Sequence, residues 1–173
     1  MEEVIELILA IDPGTRESAF VLMDDNYKIY EYGKTDNTRI LQIVKNKKYD
    51  LAVIEMVECY GQIVGREVFD TVFFAGRIAE ASTDFFLMPR HSVKMNLCGT
   101  PRAKDSNIMH ALIERFAQHD FKTGKGTTKN PDVFYGVYAD IWQAIALGVT
   151  YYDLMKNEEE EDRKSEVEAD SQV

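Results

Sequence analysis

"LAIDPGTRESAFVLMDD", residues 9–25, holds the arrangement from which the rest of the chain can be read. An apolar run ends in Asp12, the pair Pro13-Gly14 follows at once, and a second apolar run begins at Ala19. Pro next to Gly marks a tight reversal, so the chain brings a carboxylate to the lip of a strand and doubles back. Upstream, "VIELILAI" (4–11) is aliphatic and β-branched with one polar interruption, the pattern of a strand buried on both faces. Downstream, residues 19–24 and 27–33 flank Asp24-Asp25-Asn26 and predict a hairpin.

The remaining segments alternate. Residues 38–46, "TRILQIVKN", suit a short amphipathic helix or turn, and "LAVIEMV" (51–57) a second buried strand. In "GREVFDTVFFAGRIAEA" (65–81), Val68, Phe69, Val72, Phe73, Ala75 and Ile78 form a helical apolar stripe, which predicts Phe69 as a core residue. "DFFLMPR" (84–90) reads as a strand stopped by Pro89. Residues 105–118 predict a helix capped at its start by Asp105, with Ile108, Ala111, Leu112 and Phe116 on one face. Residues 139–155, "ADIWQAIALGVTYYDLM", predict a nearly all-apolar helix packed on a sheet. Three strands, then alternating helix and strand, then closing helices define an α/β domain on a mixed sheet. Residues 121–136 hold four Gly or Pro and three Lys with little periodicity, and predict a loop of the functional or mobile kind.

Net charge is −10, unevenly spread. Residues 157–173 hold eight acids and two bases, too polar to bury a core, so the domain is expected over 1–156 with a disordered acidic tail over 157–173. Residues 90–129 instead carry eight bases against three acids, a basic segment masked in the total. No stretch approaches the roughly 20 apolar residues of a membrane helix. Glu2, Glu3 and Glu6 stand where a secretory signal would carry positive charge. Cys59 and Cys98 lack metal-ligand spacing and are read as reduced thiols, which implies a cytoplasmic protein.

Glu55 repeats the placement of Asp12, since Val53-Ile54 lead into it, and Asp140 opens the last apolar helix as the only acid between residues 133 and 152. Singly, each has a plain structural explanation: a turn former, a rim residue and a helix cap. Jointly they fit poorly, because charge in an apolar strand is costly unless paired or bound to a cation. Carboxylates converging from two strands and a helix would make an oxygen-rich site for Mg²⁺ or Mn²⁺. Two such ions can activate water and steady a leaving oxygen in phosphodiester hydrolysis.

"AIDPGTRESAFVLMD", "LAVIEM" and "YADIWQAIALGVTYYD" resemble, in that order, the opening, second acidic strand and closing helix of RuvC-type Holliday junction resolvases, in the RNase H-like nuclease superfamily. The middle stretches "IEMVECYGQIVGREVFDT" and "VKMNLCGTPRAKDSNIMHALIERF" are similar to the RuvC-like resolvases of phages infecting Gram-positive bacteria. The likeness covers about residues 5–153 and implies an RNase H-like fold with a mixed five-stranded sheet flanked by helices. It also implies a homodimer acting on branched DNA with Asp12, Glu55 and Asp140 as metal-binding acids. Many bacterial members carry a fourth acid where this chain has Val137, so a fourth ligand would come from Asp105 or, second, Asp132. Lys104 is the corresponding candidate to neutralise the scissile phosphate. Arg90, Lys94, Arg102, Lys122, Lys125 and Lys129 are candidate DNA-backbone contacts, and Tyr60 or Phe69 a candidate wedge that stacks at the branch point.

Two other readings stay open. "IDPGT" also resembles the phosphate-binding turn of actin-like kinases and ATPases, but that architecture needs a second, similar domain. A branched-DNA binder without catalysis would keep the fold with an impaired site. Among nucleases, flap, fork and RNA–DNA hybrid substrates would share the same metal chemistry.

Overall fold

The structure is a computed structural model that describes residues 6–59, 61 and 63–170. Strands β1 (Leu7–Asp12), β2 (Glu17–Asp24) and β3 (Ile29–Asp36) form an antiparallel meander, followed by helix α1 (Asn37–Lys45) and strand β4 (Leu51–Met56). Helix α2 (Arg66–Ala81), strand β5 (Phe85–Pro89) and helices α3 (Arg90–Cys98) and α4 (Asp105–Phe116) come next. A two-residue ladder of β6 (Gly126–Thr127) with β7 (Asn130–Pro131) precedes the long helix α5 (Ile141–Asp170). The main sheet has five strands in the order β3-β2-β1-β4-β5, with β1, β4 and β5 parallel, which is the mixed α/β sheet expected.

Strand periodicity divides the interior in two. Ile8 and Ala10 of β1, Val53 of β4 and Ala19, Val21 and Met23 of β2 pack with α5 and α4, whereas Leu9, Ile11, Ala52, Ile54 and Phe20 pack with α1 and α2. Both faces of β1 are buried, which is why its sequence is aliphatic without alternation. Residues 141–152 of α5 are buried throughout, and at Gly148 an added Cβ would lie 2.5 Å from Met23 Sδ, so a bare backbone lets α5 settle on the sheet.

Several elements depart from the sequence reading. Pro89 ends β5 but also starts α3, an unanticipated helix closed by Gly99 at φ 67°, whose amide donates to the Met95 carbonyl. The buried residues of α2 are Phe74, Ala75 and Ile78; Phe69 and Phe73 are 64% and 72% exposed. The helix carries two adjacent apolar faces, and the sheet covers only one. Lys104, not Asp105, takes the cap position of α4, with its backbone N–H donating to Asn107 Oδ1 at 2.9 Å. Residues 157–170, where composition predicts disorder, continue α5. Glu and Lys are good helix formers, and Arg163 pairs with Glu159 one turn back at 3.6 Å.

The segment between α4 and α5 is held from inside by two carboxylates rather than left loose. Asp132 is buried and accepts backbone N–H bonds from Gln118, His119, Asp120 and Val133. Burial alone would raise its pKa, but these donors hold the carboxyl well below the usual range. Asp120 accepts from the amides of Lys122, Thr123 and Gly126. Phe134 anchors the segment, its ring centroid 4.8 Å from that of Trp142. At Gly124, where φ is 68°, a Cβ would lie 2.6 Å from the Phe134 ring. Phe134→Ala should cost about 3–5 kcal/mol of unfolding free energy, measured as a lower urea midpoint at unchanged m-value.

Candidate active site

Strand register builds the site. Ile11 of β1 pairs with Ile54 of β4, so Asp12 and Glu55, the next residue on each strand, stand side by side. Alternation puts Asp12 on the face of Ile8 and Ala10, and Glu55 on the face of Val53; both are the face that α5 covers. Asp140 immediately precedes α5, with its carbonyl accepting from the amides of Gln143 and Ala144. The backbone before it is shaped to deliver it. At Gly136, φ 79°, a Cβ would lie 2.7 Å from Tyr32 Oη, Val137 is fully buried, and Ala139 takes the left-handed φ of 46° that non-glycine residues adopt only at a cost.

The three acids meet electrostatically at Asp12. Burial, then the charge of Glu55, and further those of Asp140 and Asp105, push its pKa up to about 8, against the opposing pull of Arg90. Burial also raises Glu55, partly offset by Arg90. Protein cations take the other acids. Arg90 Nη1 donates to Glu55 Oε2 at 2.8 Å while its Nη2 donates to Asp105 Oδ1 at 2.7 Å. Lys34 Nζ donates to Asp140 Oδ2 at 2.6 Å. Lys34 gives no sign in the sequence, but register explains it: Asp12 pairs with Ala19 and Ala19 with Lys34, one row across the sheet, and the small Ala19 leaves the lysine a path to Asp140.

Other candidates distribute differently. Val137 is a core residue, so no ligand comes from that place. Asp132 is spent on amides inside the loop and is not part of the acidic cluster. Asp105 is the first residue of α4 and binds Arg90. Arg90 is therefore held between two carboxylates, with its side chain 28% exposed. Lys94 borders a cavity of about 680 Å³ together with Glu55, Val57, Glu58, Arg90, His91 and Pro101. Arg102 and Lys104 are exposed beside α4, as are Lys122 and Lys129 on the braced loop, with Lys125 half-buried. Tyr60 lies outside the described residues.

Whether these residues suit a divalent cation divides into chemistry and arrangement. The donors are carboxylate oxygens of the hard type Mg²⁺ and Mn²⁺ prefer. Gln143 Oε1, one turn into α5 beyond Asp140, is a buried acceptor with no hydrogen-bond partner among the described residues. The donor set fits. As they stand, however, no three His, Cys, Asp or Glu side chains among the described residues are arranged to hold one ion, because Glu55 and Asp140 are turned to Arg90 and Lys34.

No family model matches the chain, and no curated protein matches it. Solved structures do. One is a Thermus thermophilus RuvC structure, with a TM-score of 0.57 at 13% identity over 87% of this chain and 96% of that one. The fold is RuvC-like. A second, T. thermophilus RuvC in complex with Holliday junction substrate, has a TM-score of 0.58 at 12% identity over 84% of this chain and 92% of that one. At this identity the likeness carries the architecture alone. No helix among the described residues is long and apolar enough to cross a membrane.

The raised Asp12 pKa sets a sign for stability in the absence of metal. The folded state keeps a proton that the unfolded chain releases near 3.8, so this group lowers stability as pH rises from about 4 to about 8. In EDTA, Asp12→Asn should therefore gain in Tm over the unsubstituted chain between pH 5 and pH 8.5. A constant Tm difference across that range would contradict the burial and charge crowding described.

Proposed function

We propose that residues 1–156 form a metal-dependent, structure-selective DNA endonuclease that resolves four-way and other branched junctions, akin to the phage-type RuvC-like resolvases. The observation that carries the reading is that Asp12 and Glu55 stand side by side on one sheet face, with the charge of Asp140 acting on Asp12, on a RuvC-like fold. Support for branched DNA as the partner comes from the neighbour solved with a Holliday junction substrate.

Asp12, Glu55 and Asp140 would hold Mg²⁺ or Mn²⁺, which when bound supplies an activated water and charge neutralisation at the leaving oxygen. Hydrolysis joins the water oxygen to phosphorus and breaks the P–O3′ bond, leaving a 5′ phosphate and a 3′ hydroxyl. Lys94 on α3, and Arg102 and Lys104 between α3 and α4, would contact the DNA backbone. Lys122, Lys125 and Lys129 sit on a loop that Asp120 and Asp132 hold in shape, so backbone contact there requires little ordering on binding. Phe69, Val72 and Phe73 on the open face of α2 are suited to a second copy, and a two-fold dimer offers two sites in matched orientation to a junction that needs two nicks.

A second reading, a branched-DNA binder without catalysis, is favoured by one observation: two of the acids are neutralised by protein cations. One comparison separates the two. With Mg²⁺ or Mn²⁺ the chain should nick a synthetic four-way junction, while Asp12→Asn keeps junction binding and loses nicking. Full activity in that variant removes the assignment of the acids; absence of nicking by the unsubstituted chain on junction, fork, flap and hybrid alike leaves the binder. Lys125→Ala should weaken binding evenly across sequences and reduce the slope of log affinity against log salt by about one. An unchanged slope would clear the loop of backbone contact.

A further inference from the structure

We propose that Arg90 is the side chain that contacts the scissile phosphate, and that Asp105 is a positioning residue for Arg90 rather than a metal ligand. This rests on the nuclease reading above and names the cation of that same site.

The geometry is that of a clamp. Arg90 opens α3, Glu55 follows the apolar run of β4 and Asp105 opens α4, so one guanidinium is fixed from three elements by two short bonds to different terminal nitrogens. A guanidinium has five N–H donors, and these two bonds use two. Its side chain is 28% exposed and borders the 680 Å³ cavity that also touches Glu55, His91 and Lys94. A half-buried cation held rigid beside the acidic cluster, with donors to spare and open to a cavity, is suited to a phosphate oxygen that must approach the same carboxylates. The planar fork also explains the residue type, since a lysine ammonium cannot bridge two carboxylates and present further donors in one plane.

Asp105 is the acid in the first turn of α4, where its charge favours the helix N-terminus. Its cap position is taken by Lys104, and at 70% exposure its pair with Arg90 adds little to stability. What the pair does is hold the guanidinium in one place. Lys104, the sequence candidate for this task, is exposed and forms no ion pair with the acids among the described residues. Arg90, by contrast, pairs with Glu55 beside Asp12, and its charge opposes the rise of the Asp12 pKa.

The test couples protein and DNA on the full chain. The nick position is first mapped with the unsubstituted protein, and junctions are then made with a neutral methylphosphonate at that phosphate. Binding is measured in Ca²⁺, nicking in Mg²⁺ under single turnover, and Mn²⁺ affinity by spin-resonance titration. The unsubstituted chain should bind the methylphosphonate junction about tenfold or more weakly than the native one, and Arg90→Ala should bind both alike. Arg90→Lys should keep Mn²⁺ affinity within about threefold yet nick about 10²-fold more slowly, the scale of losing one transition-state donor. Asp105→Asn, at an exposed position where folding is secure, should slow nicking about tenfold, with no further loss when combined with Arg90→Lys.

A methylphosphonate penalty that survives Arg90→Ala overturns the contact. A tenfold gain in Mn²⁺ affinity with nicking intact in Arg90→Ala also overturns it, leaving the arginine a mere occupant of the metal's place. Additive losses in the double variant overturn the positioning role of Asp105. If the unsubstituted chain nicks nothing, the nuclease reading and this inference fall together; if it nicks and the penalty persists, only this inference falls.

Discussion

Two neighbouring parallel strands each carry an acid at or beside their ends, on the same face at the same level, and that face is the one α5 must cover. Two carboxylates so close in a partly desolvated place cannot both ionise cheaply. The remainder of the site is arranged around that expense. A third acid is delivered by a turn with a left-handed alanine, and two cations reach in from β3 and α3. The acidic edge is thus stabilised locally by charge and globally by the apolar sandwich beneath it. Ile8, Ala10 and Val53 leave the acids no freedom to move without disturbing the core.

The cations have different character. Lys34 approaches along a row of the sheet, through the gap that Ala19 leaves, and meets an acid whose side chain is half exposed. Arg90 is held between a buried acid and an exposed one, and so is the more rigid of the two. A site that carries its own cations in this way has its negative field balanced before any external ion arrives.

Away from the acids, the same physics serves shape rather than chemistry. Asp120 and Asp132 spend their oxygens on backbone amides, turning a Gly- and Lys-rich stretch into a braced projection whose base is Phe134 against Trp142. Asp153 does likewise between elements, accepting from Arg115, Asn96 and Tyr27 and so tying α4, α3 and the β2–β3 turn to α5. Carboxylates of identical chemistry thus divide by partner: backbone amides hold Asp120 and Asp132, whereas side-chain cations hold Glu55, Asp140 and Asp153.

The strands and the apolar stretch of α5 were legible in the sequence, and the three acids stood out there as candidates, because burial on two faces and a charge that interrupts it leave a local trace. So was the fold class, which follows from the order of those patterns. Helix α3 was missed because Pro89 ends one element and begins another, and the exposed face of α2 because an apolar stripe does not say how many neighbours cover it. Asp132 and Asp105 could not be told apart in the sequence, since a carboxylate's role depends on which donors it meets. Lys34 and Arg90 became part of the site only through strand register and helix placement, which bring residues far apart in the chain to one edge. Sequence determines which groups must be compensated; tertiary structure decides which distant groups do so, because Coulomb energy depends on separation in space and not along the chain.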